Sequence, residues 1–139
     1  MNFIIYTDGA SRGNPGQSAC GIVIQSPDGV IWVQDGKYLG ITTNNVAEYH
    51  AVLWACQRLI SDFTKHLPTS VEFRLDSLLL ASQLSGKYKV KNANLQVLHQ
   101  QIKELEKNLG QVTYNYTPRA NNFLADKMAN MVLDKQLSA

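Results

Sequence analysis

Residues 2–16 read NFIIYTDGASRGNPG and contain both the first strand pattern and the first candidate functional residue. An apolar run from Phe3 to Tyr6 leads to the carboxylate of Asp8, and four of the eight residues after Asp8 are glycine or proline. Apolar runs bounded by such residues are typical of buried strands that end in a turn. We therefore predict a strand over residues 2–8 and a loop after it.

The remaining segments alternate between strand and helix patterns. The turn signal SPDG (26–29) predicts an antiparallel hairpin, whereas strands that alternate with helices pair in parallel. The predicted order is βββαβααβα, an α/β fold with a five-stranded mixed sheet and helices on both faces. The predicted strands are 2–8, 18–25, 30–38, 70–76 and 111–117, and the predicted helices are 44–63, 77–84, 92–109 and 121–137.

The composition indicates one globular domain over residues 1–139. Hydrophobic residues make up 45% of the chain and charged residues 17%, and the net charge of +2 is too small to indicate nucleic acid by itself. No apolar stretch approaches the roughly 20 residues that cross a bilayer, and the N-terminus lacks a signal-peptide pattern. We expect a cytoplasmic protein without membrane contact and, in the absence of an exposed apolar stripe, a monomer.

The two cysteines and two tryptophans are interpreted as core residues. Cys20 and Cys56 have apolar neighbours and fit no zinc motif, so we expect reduced thiols rather than a disulfide. Trp54 lies within the long predicted helix, and Trp32 lies in the third predicted strand.

Four carboxylates occupy positions that point toward one edge of the predicted sheet. Asp8 and Asp76 lie at the C-terminal ends of the first and fourth predicted strands, so they emerge side by side if those strands are parallel neighbours. Glu48 lies near the start of the long helix with apolar residues at i+4 and i+7, and Asp126 lies in the first turns of the last helix. Both helix starts could reach the same edge.

Each acid also has a structural explanation. Asp8 precedes a glycine as in many turns, Asp76 could cap the next helix, and acids near helix N-termini favour the macrodipole. Four acids on one half-buried patch, however, repel one another and require protons or cations. Carboxylates without histidine or cysteine suit Mg²⁺ or Mn²⁺, and two such ions are a known device for phosphodiester hydrolysis.

Five motifs in this order and spacing resemble the ribonuclease HI family, over roughly residues 2–136. They are YTDGASRGNPG (6–16), TTNNVAEYHA (42–51), LDS (75–77), VKNANL (90–95) and PRANNFLADKMAN (118–130). The resemblance implies a ribonuclease H-like fold and an endonuclease that cuts the RNA strand of RNA–DNA hybrids with two Mg²⁺ ions, leaving 5′-phosphate and 3′-hydroxyl ends, with Mn²⁺ as a possible substitute.

The resemblance carries the family's catalytic carboxylates onto the same four acids. It implies that Asp8 bridges the two ions, that Glu48 and Asp76 complete the site of the ion near the leaving group, and that Asp126 helps to hold the ion near the attacking water. It also places Glu48 close to a ribose 2′-hydroxyl, the group that distinguishes RNA from DNA.

The same resemblance implies a set of substrate contacts. Asn14, Asn44 and Asn45 match positions that contact the hybrid across its minor groove, which suits an amide because it both donates and accepts hydrogen bonds. Thr43 and Asn92 match the pocket for a phosphate of the DNA strand. The alternative for the three residues at the helix start is N-terminal capping, although one helix needs only one cap.

The chain departs from the usual family pattern in the loop before its last helix. Many members have a histidine there, whereas this chain has Arg119, as in a sub-branch of the family. A guanidinium cannot act as a base at neutral pH, but it could stabilise phosphate charge. The segment GKYKVKN (86–92) offers three lysines that either reach DNA phosphates or belong to a solvated loop, and Arg12 has the same two interpretations.

Two other functions remain consistent with such a fold. One is a non-catalytic module that binds RNA–DNA hybrids, although pure binding has no use for four repelling acids. The other is the core of a transposase or junction resolvase, although such proteins usually carry additional DNA-binding segments.

Overall fold

The computed structural model describes residues 1–138, and its elements follow the predicted order with one short 3-10 turn added. The strands are β1 (Asn2–Gly13), β2 (Gly16–Gln25), β3 (Ile31–Thr42), β4 (Ser70–Leu75) and β5 (Gln111–Tyr116). The helices are α1 (Asn44–Asp62), α2 (Leu78–Leu84), α3 (Ala93–Glu106) and α4 (Phe123–Leu137), with the 3-10 turn at Arg119–Asn122.

The five strands form one mixed sheet in the order β3-β2-β1-β4-β5. The pairs β1–β2 and β2–β3 are antiparallel, and the pairs β1–β4 and β4–β5 are parallel. The predicted α/β architecture is therefore confirmed. Because β1 and β4 are parallel neighbours and their last pair is Thr7↔Leu75, the carboxyl end of β4 lies beside Asp8 of β1.

Helices cover both faces of the sheet, as predicted. Helix α1 packs on β1 and β2 and against α3, whereas α4 packs on the opposite side against β1, β2 and β3. The larger core includes Val52, Cys56 and Leu59 of α1, each fully buried, so the helical spacing of these residues does mark the packed face. Cys20 and Cys56 are buried free thiols. Within residues 1–138, no helix has the length and hydropathy needed to cross a membrane.

The segment after Asp8 is not the predicted loop. Strand β1 continues to Gly13, paired with β2 in unbroken antiparallel register from Asp8↔Gly21 to Gly13↔Gly16. Glycine lacks a side chain but keeps its backbone donor and acceptor, so it does not end a ladder that a long partner strand completes. Only glycine fits at position 9, because a Cβ there would lie 2.4 Å from the carbonyl carbon of Ala47. Gly9 thus lets the start of α1 pass directly over β1.

Trp32 differs from the core prediction, whereas Trp54 packs against the larger core as a partly buried side chain. Trp32 is 52% exposed because β3 is an edge strand with only one sheet neighbour. Trp54 is half-buried, and its ring lies under the cationic groups of Lys37 and Arg58.

Candidate active site

The sheet places two carboxylates side by side at its carboxyl edge. Thr7 of β1 pairs with Leu75, the last residue of β4, so Asp76 leaves β4 at the level of Asp8, which remains in β1 and pairs with β2. Asp8 is only 5% exposed. The parallel pairing that the sequence pattern predicts is thus the direct cause of this juxtaposition.

Asp76 is available to the site because a neighbour caps the following helix. The Ser77 hydroxyl oxygen accepts a hydrogen bond from the backbone N–H of Leu80 at 3.1 Å and is the N-cap of α2. The interpretation of Asp76 as a cap is therefore wrong. Its carboxylate instead accepts a hydrogen bond at Oδ2 from Nδ2 of Asn122, at 3.2 Å.

Glu48 joins the two aspartates from the first turns of α1. The backbone N–H of Gly9 donates to Glu48 Oε1 at 2.9 Å, which fixes the carboxylate against β1. The other oxygen, Oε2, is buried and has no hydrogen-bond partner among residues 1–138. A buried carboxylate oxygen without a donor is costly unless a proton or a cation completes it.

One carboxylate oxygen from each of Asp8, Glu48 and Asp76 lies within 4.8 Å of the other two. The group contains neither histidine nor cysteine, and an all-oxygen ligand set favours a hard cation such as Mg²⁺ or Mn²⁺. This geometry, together with the buried Glu48 Oε2 that lacks a hydrogen-bond partner, fits the metal site that the sequence predicts.

The cluster is strongly perturbed in the absence of a cation. Burial, together with the charges of Glu48 and Asp76, raises the pKa of Asp8 far above its ordinary value. Burial also raises the pKa of Glu48, although the neighbouring Asp8 carboxyl and the Gly9 N–H oppose the shift. The metal-free cluster therefore holds protons near neutral pH, and a cation must displace them when it binds.

Asp126 occupies the same cavity but stands outside the group of three. It lines the cavity with Asp8, Asp76 and Arg119, and it contributes to the raised pKa of Asp8. Its carboxylate Oδ1 accepts a hydrogen bond from Asn130 Nδ2 at 3.1 Å. The structure thus brings all four predicted acids to one cavity, with three at the spacing of a shared ion.

Arg119 supplies the positive charge of this cavity. It begins the 3-10 turn before α4, its side chain is exposed, and its charge lowers the pKa of Glu48. A guanidinium at this position suits interaction with phosphate oxygens, which it can contact through several donors.

The predicted substrate residues divide between this cavity and an adjacent cleft. Asn44 lines the carboxylate cavity, and its backbone N–H donates to Asn14 Oδ1 at 3.1 Å. The cleft lies between the starts of α1 and α3, and its wall includes four of the predicted residues. These four are Asn14, Thr43, Asn45 and Asn92.

Two of these residues are also helix caps. The Thr43 hydroxyl accepts from the Val46 N–H at 3.2 Å, and Asn92 Oδ1 accepts from the Leu95 N–H at 3.1 Å. The capping interpretation is therefore correct for Thr43 and leaves the Asn45 amide without that role. An N-cap at each side of the cleft also directs the positive ends of α1 and α3 toward it, which favours an anion.

Asn122 is a site residue that sequence reasoning missed. It is 1% exposed, and its Nδ2 donates both to the Thr7 carbonyl at 2.9 Å and to Asp76. It therefore ties β1 to the carboxylate of the neighbouring strand. The pattern of the last helix gives no signal for this role, because Asn122 reaches Asp76 only through the packing of α4 on the sheet.

Comparison with known proteins identifies the family. A family model described as reverse transcriptase-like matches residues 6–132. The crystal structure of RNase H1 from the archaeon Halobacterium salinarum superposes with a TM-score of 0.90 and 37% identity, covering 97% of this chain and 99% of that one. The chain belongs to the ribonuclease HI family. LC11-RNase H1, a family member solved in complex with an RNA/DNA hybrid, superposes with a TM-score of 0.93 and 38% identity, again covering 97% and 99% of the two chains.

Some relatives of the ribonuclease HI family are longer than this chain. The curated ribonuclease HI of Halobacterium salinarum is 39% identical over 129 residues, which are 93% of this chain and 63% of that protein. The bifunctional protein Rv2228c of Mycobacterium tuberculosis is 35% identical over 135 residues, or 96% of this chain, and the match spans 36% of that protein.

Proposed function

We propose that this protein is an endoribonuclease that hydrolyses the RNA strand of RNA–DNA hybrids with two Mg²⁺ ions and leaves 5′-phosphate and 3′-hydroxyl ends. The observation that carries the proposal is the cluster of Asp8, Glu48 and Asp76, whose oxygens lie within 4.8 Å of one another at the sheet edge. Membership of the ribonuclease HI family and the hybrid complex of LC11-RNase H1 support the substrate.

The residues present fit the proposed ions. Asp8 would bridge the two ions, with Glu48 and Asp76 completing one site and Asp126 contributing to the other, and Mn²⁺ would satisfy the same ligands. When bound, the ions would stabilise the charge that develops on the scissile phosphate and favour ionisation of the attacking water. The pre-set orientation of Glu48 by the Gly9 N–H reduces the reorganisation that binding requires.

The remaining roles belong to the chain's own side chains. Asn14, Asn44 and Asn45 would contact the hybrid across its minor groove, and the cleft between Thr43 and Asn92 would receive a phosphate of the DNA strand. The capping oxygens of those two residues are already engaged, so the phosphate would meet the helix N-termini and nearby amides.

Glu48 and Arg119 would act closest to the reacting strand. Glu48 would lie near a ribose 2′-hydroxyl and so contribute to the choice of RNA over DNA. Arg119, which lines the carboxylate cavity, would hold the phosphate through charge-assisted hydrogen bonds rather than accept a proton.

The test is a cleavage assay on four labelled substrates: RNA–DNA hybrid, double-stranded RNA, double-stranded DNA and single-stranded RNA. Each is incubated with Mg²⁺, with Mn²⁺ or with EDTA. We expect cleavage of the hybrid alone, its loss in EDTA, and products with 5′-phosphate ends. The variant Asp76→Asn should be inactive, whereas Glu104→Gln, which alters an exposed acid paired with Lys107, should cleave like the unaltered protein.

Binding of the hybrid without cleavage in any metal would favour the non-catalytic module instead. Cleavage of double-stranded DNA would favour the transposase or resolvase class. That residues 1–139 form one domain, and that the protein is a cytoplasmic monomer, stay predictions, and light scattering against the chain mass of 15.5 kDa tests the oligomeric state.

A further inference from the structure

Arg12 makes contacts that neither of its two sequence interpretations includes. It lies near the end of β1, and its Nη2 donates to Asp134 Oδ1 at 2.8 Å and to Asn130 Oδ1 at 3.1 Å, both on α4. The pair with Asp134 is open to solvent, with side chains 38% and 71% exposed, and such pairs contribute little to stability. The contact with Asn130 connects Arg12 to the carboxylate cavity.

Asn130 connects Arg12 to the fourth carboxylate of the cavity. Its Nδ2 donates to the Asp126 backbone carbonyl at 3.0 Å and to Asp126 Oδ1 at 3.1 Å. The guanidinium of Arg12 has donors only, so it selects the amide orientation in which Oδ1 faces Arg12 and the NH₂ group faces Asp126. The opposite orientation would set an oxygen against a carboxylate and a donor against a donor.

We propose that Arg12 and Asn130 are positioning residues that fix the carboxylate of Asp126 in the cavity. Asn130 engages one oxygen of Asp126 and leaves the other for the cavity, and Arg12 prevents the amide from turning over. The proposal rests on the proposed function, because it gives Asp126 a part in the reaction. Hydrogen-bonded partners of ligating carboxylates commonly affect metal affinity or activity 10- to 100-fold.

The same contacts join two parts of the substrate surface. Arg12 lies in the last residues of β1, two residues before Asn14, which is on the turn between β1 and β2. Asn130 and Asp126 belong to α4. The Arg12–Asn130 bond therefore ties the turn that carries a proposed groove contact to the helix that carries a catalytic acid.

The experiment compares Arg12→Ala, Asn130→Ala and the double variant in steady-state cleavage of a hybrid. We expect Asn130→Ala to lower kcat about 10- to 100-fold with KM unchanged. Arg12→Ala should lower kcat by a smaller factor, because Asn130 keeps its bonds to Asp126 in part of the population. The double variant should be no worse than Asn130→Ala, since both changes interrupt one chain of contacts.

A readout independent of turnover is calorimetric titration with Mn²⁺ in the absence of hybrid. Asn130→Ala should lower the affinity of the more weakly bound Mn²⁺ ion. The control is Arg58→Ala, which removes a surface arginine paired with Asp35 and Asp62 and should change neither Mn²⁺ affinity nor kcat. Asn130→Asp keeps the side-chain shape while removing the donor, so it replaces the alanine variant if that variant folds poorly.

Three results would overturn the positioning role. The first is full cleavage activity of both Asn130→Ala and Asn130→Asp when Asp126→Asn is inactive. The second is a loss of kcat in the double variant that equals the product of the two single losses. The third is a raised KM with a shallower salt dependence for Arg12→Ala, which would make Arg12 a direct phosphate contact. Full activity of Asp126→Asn would instead refute the part assigned to Asp126 in the proposed function.

Discussion

Replacing Asp8 with asparagine should stabilise the metal-free protein while abolishing cleavage. Asp8 is 5% exposed and faces Glu48 and Asp76, and burial is the largest cause that raises its pKa from an ordinary 3.8 to about 10. A carboxyl whose pKa is higher in the folded chain favours folding below the unfolded pKa. That contribution is lost as the pH rises toward the folded pKa.

The change in the free energy of unfolding at pH 7 follows from the pH interval between 3.8 and 7. Over that interval the Asp8 carboxyl loses its proton in the unfolded chain but keeps it in the folded chain. Each pH unit costs about 1.4 kcal/mol, so the upper limit is about 4 kcal/mol. An amide of the same shape carries no charge, so it removes this cost. With about 3 °C for each kcal/mol in a chain of this size, we expect Tm to rise by about 3 to 10 °C.

The assay is thermal unfolding of both proteins in EDTA at several pH values, with Glu104→Gln as the surface control. The difference in Tm should increase steadily from pH 5 to pH 8 and should vanish only below about pH 3, where the unfolded carboxyl is protonated as well. Added Mg²⁺ should stabilise the unaltered protein and narrow the difference. A Tm for Asp8→Asn that is equal to or lower than that of the unaltered protein at pH 7, or a gain of the same size at pH 3, would refute the close buried cluster.

Three further predictions concern the same region. At a fixed, subsaturating Mg²⁺ concentration, cleavage should increase with pH through and above neutrality, because the raised pKa values of Asp8 and Glu48 require proton release before a cation binds; a flat profile between pH 6 and 9 would contradict this. Gly9→Ala should destabilise the chain by about 1–3 kcal/mol in urea titrations and lower kcat, since a Cβ there meets the α1 backbone at 2.4 Å and displaces Glu48; unchanged stability would refute the close approach. Thr43→Ala should cost about 1 kcal/mol as a lost N-cap and also raise KM for the hybrid, whereas Thr43→Ser should restore stability; a loss of stability with KM unchanged would leave Thr43 as a cap alone.

The sequence determines the order of the elements and the edge of the sheet at which the acids meet. Alternating and helical hydrophobic spacings are local properties, so they predict all five strands and four helices, and the strand–helix alternation predicts the parallel β1–β4 pair. Because Asp8 and Asp76 both directly follow the residues that pair β1 with β4, their proximity is already implied by the pattern.

Only the tertiary structure decides the contacts between segments that are far apart in the chain. Strand β1 runs on to Gly13 because β2 pairs with it, Trp32 is exposed because β3 lies at the sheet edge, and Asn122 holds Asp76 because α4 packs across β1. Arg12 reaches Asn130 across 118 residues of sequence. These contacts depend on which surfaces pack together and at what distance, and no periodicity within one segment encodes that information.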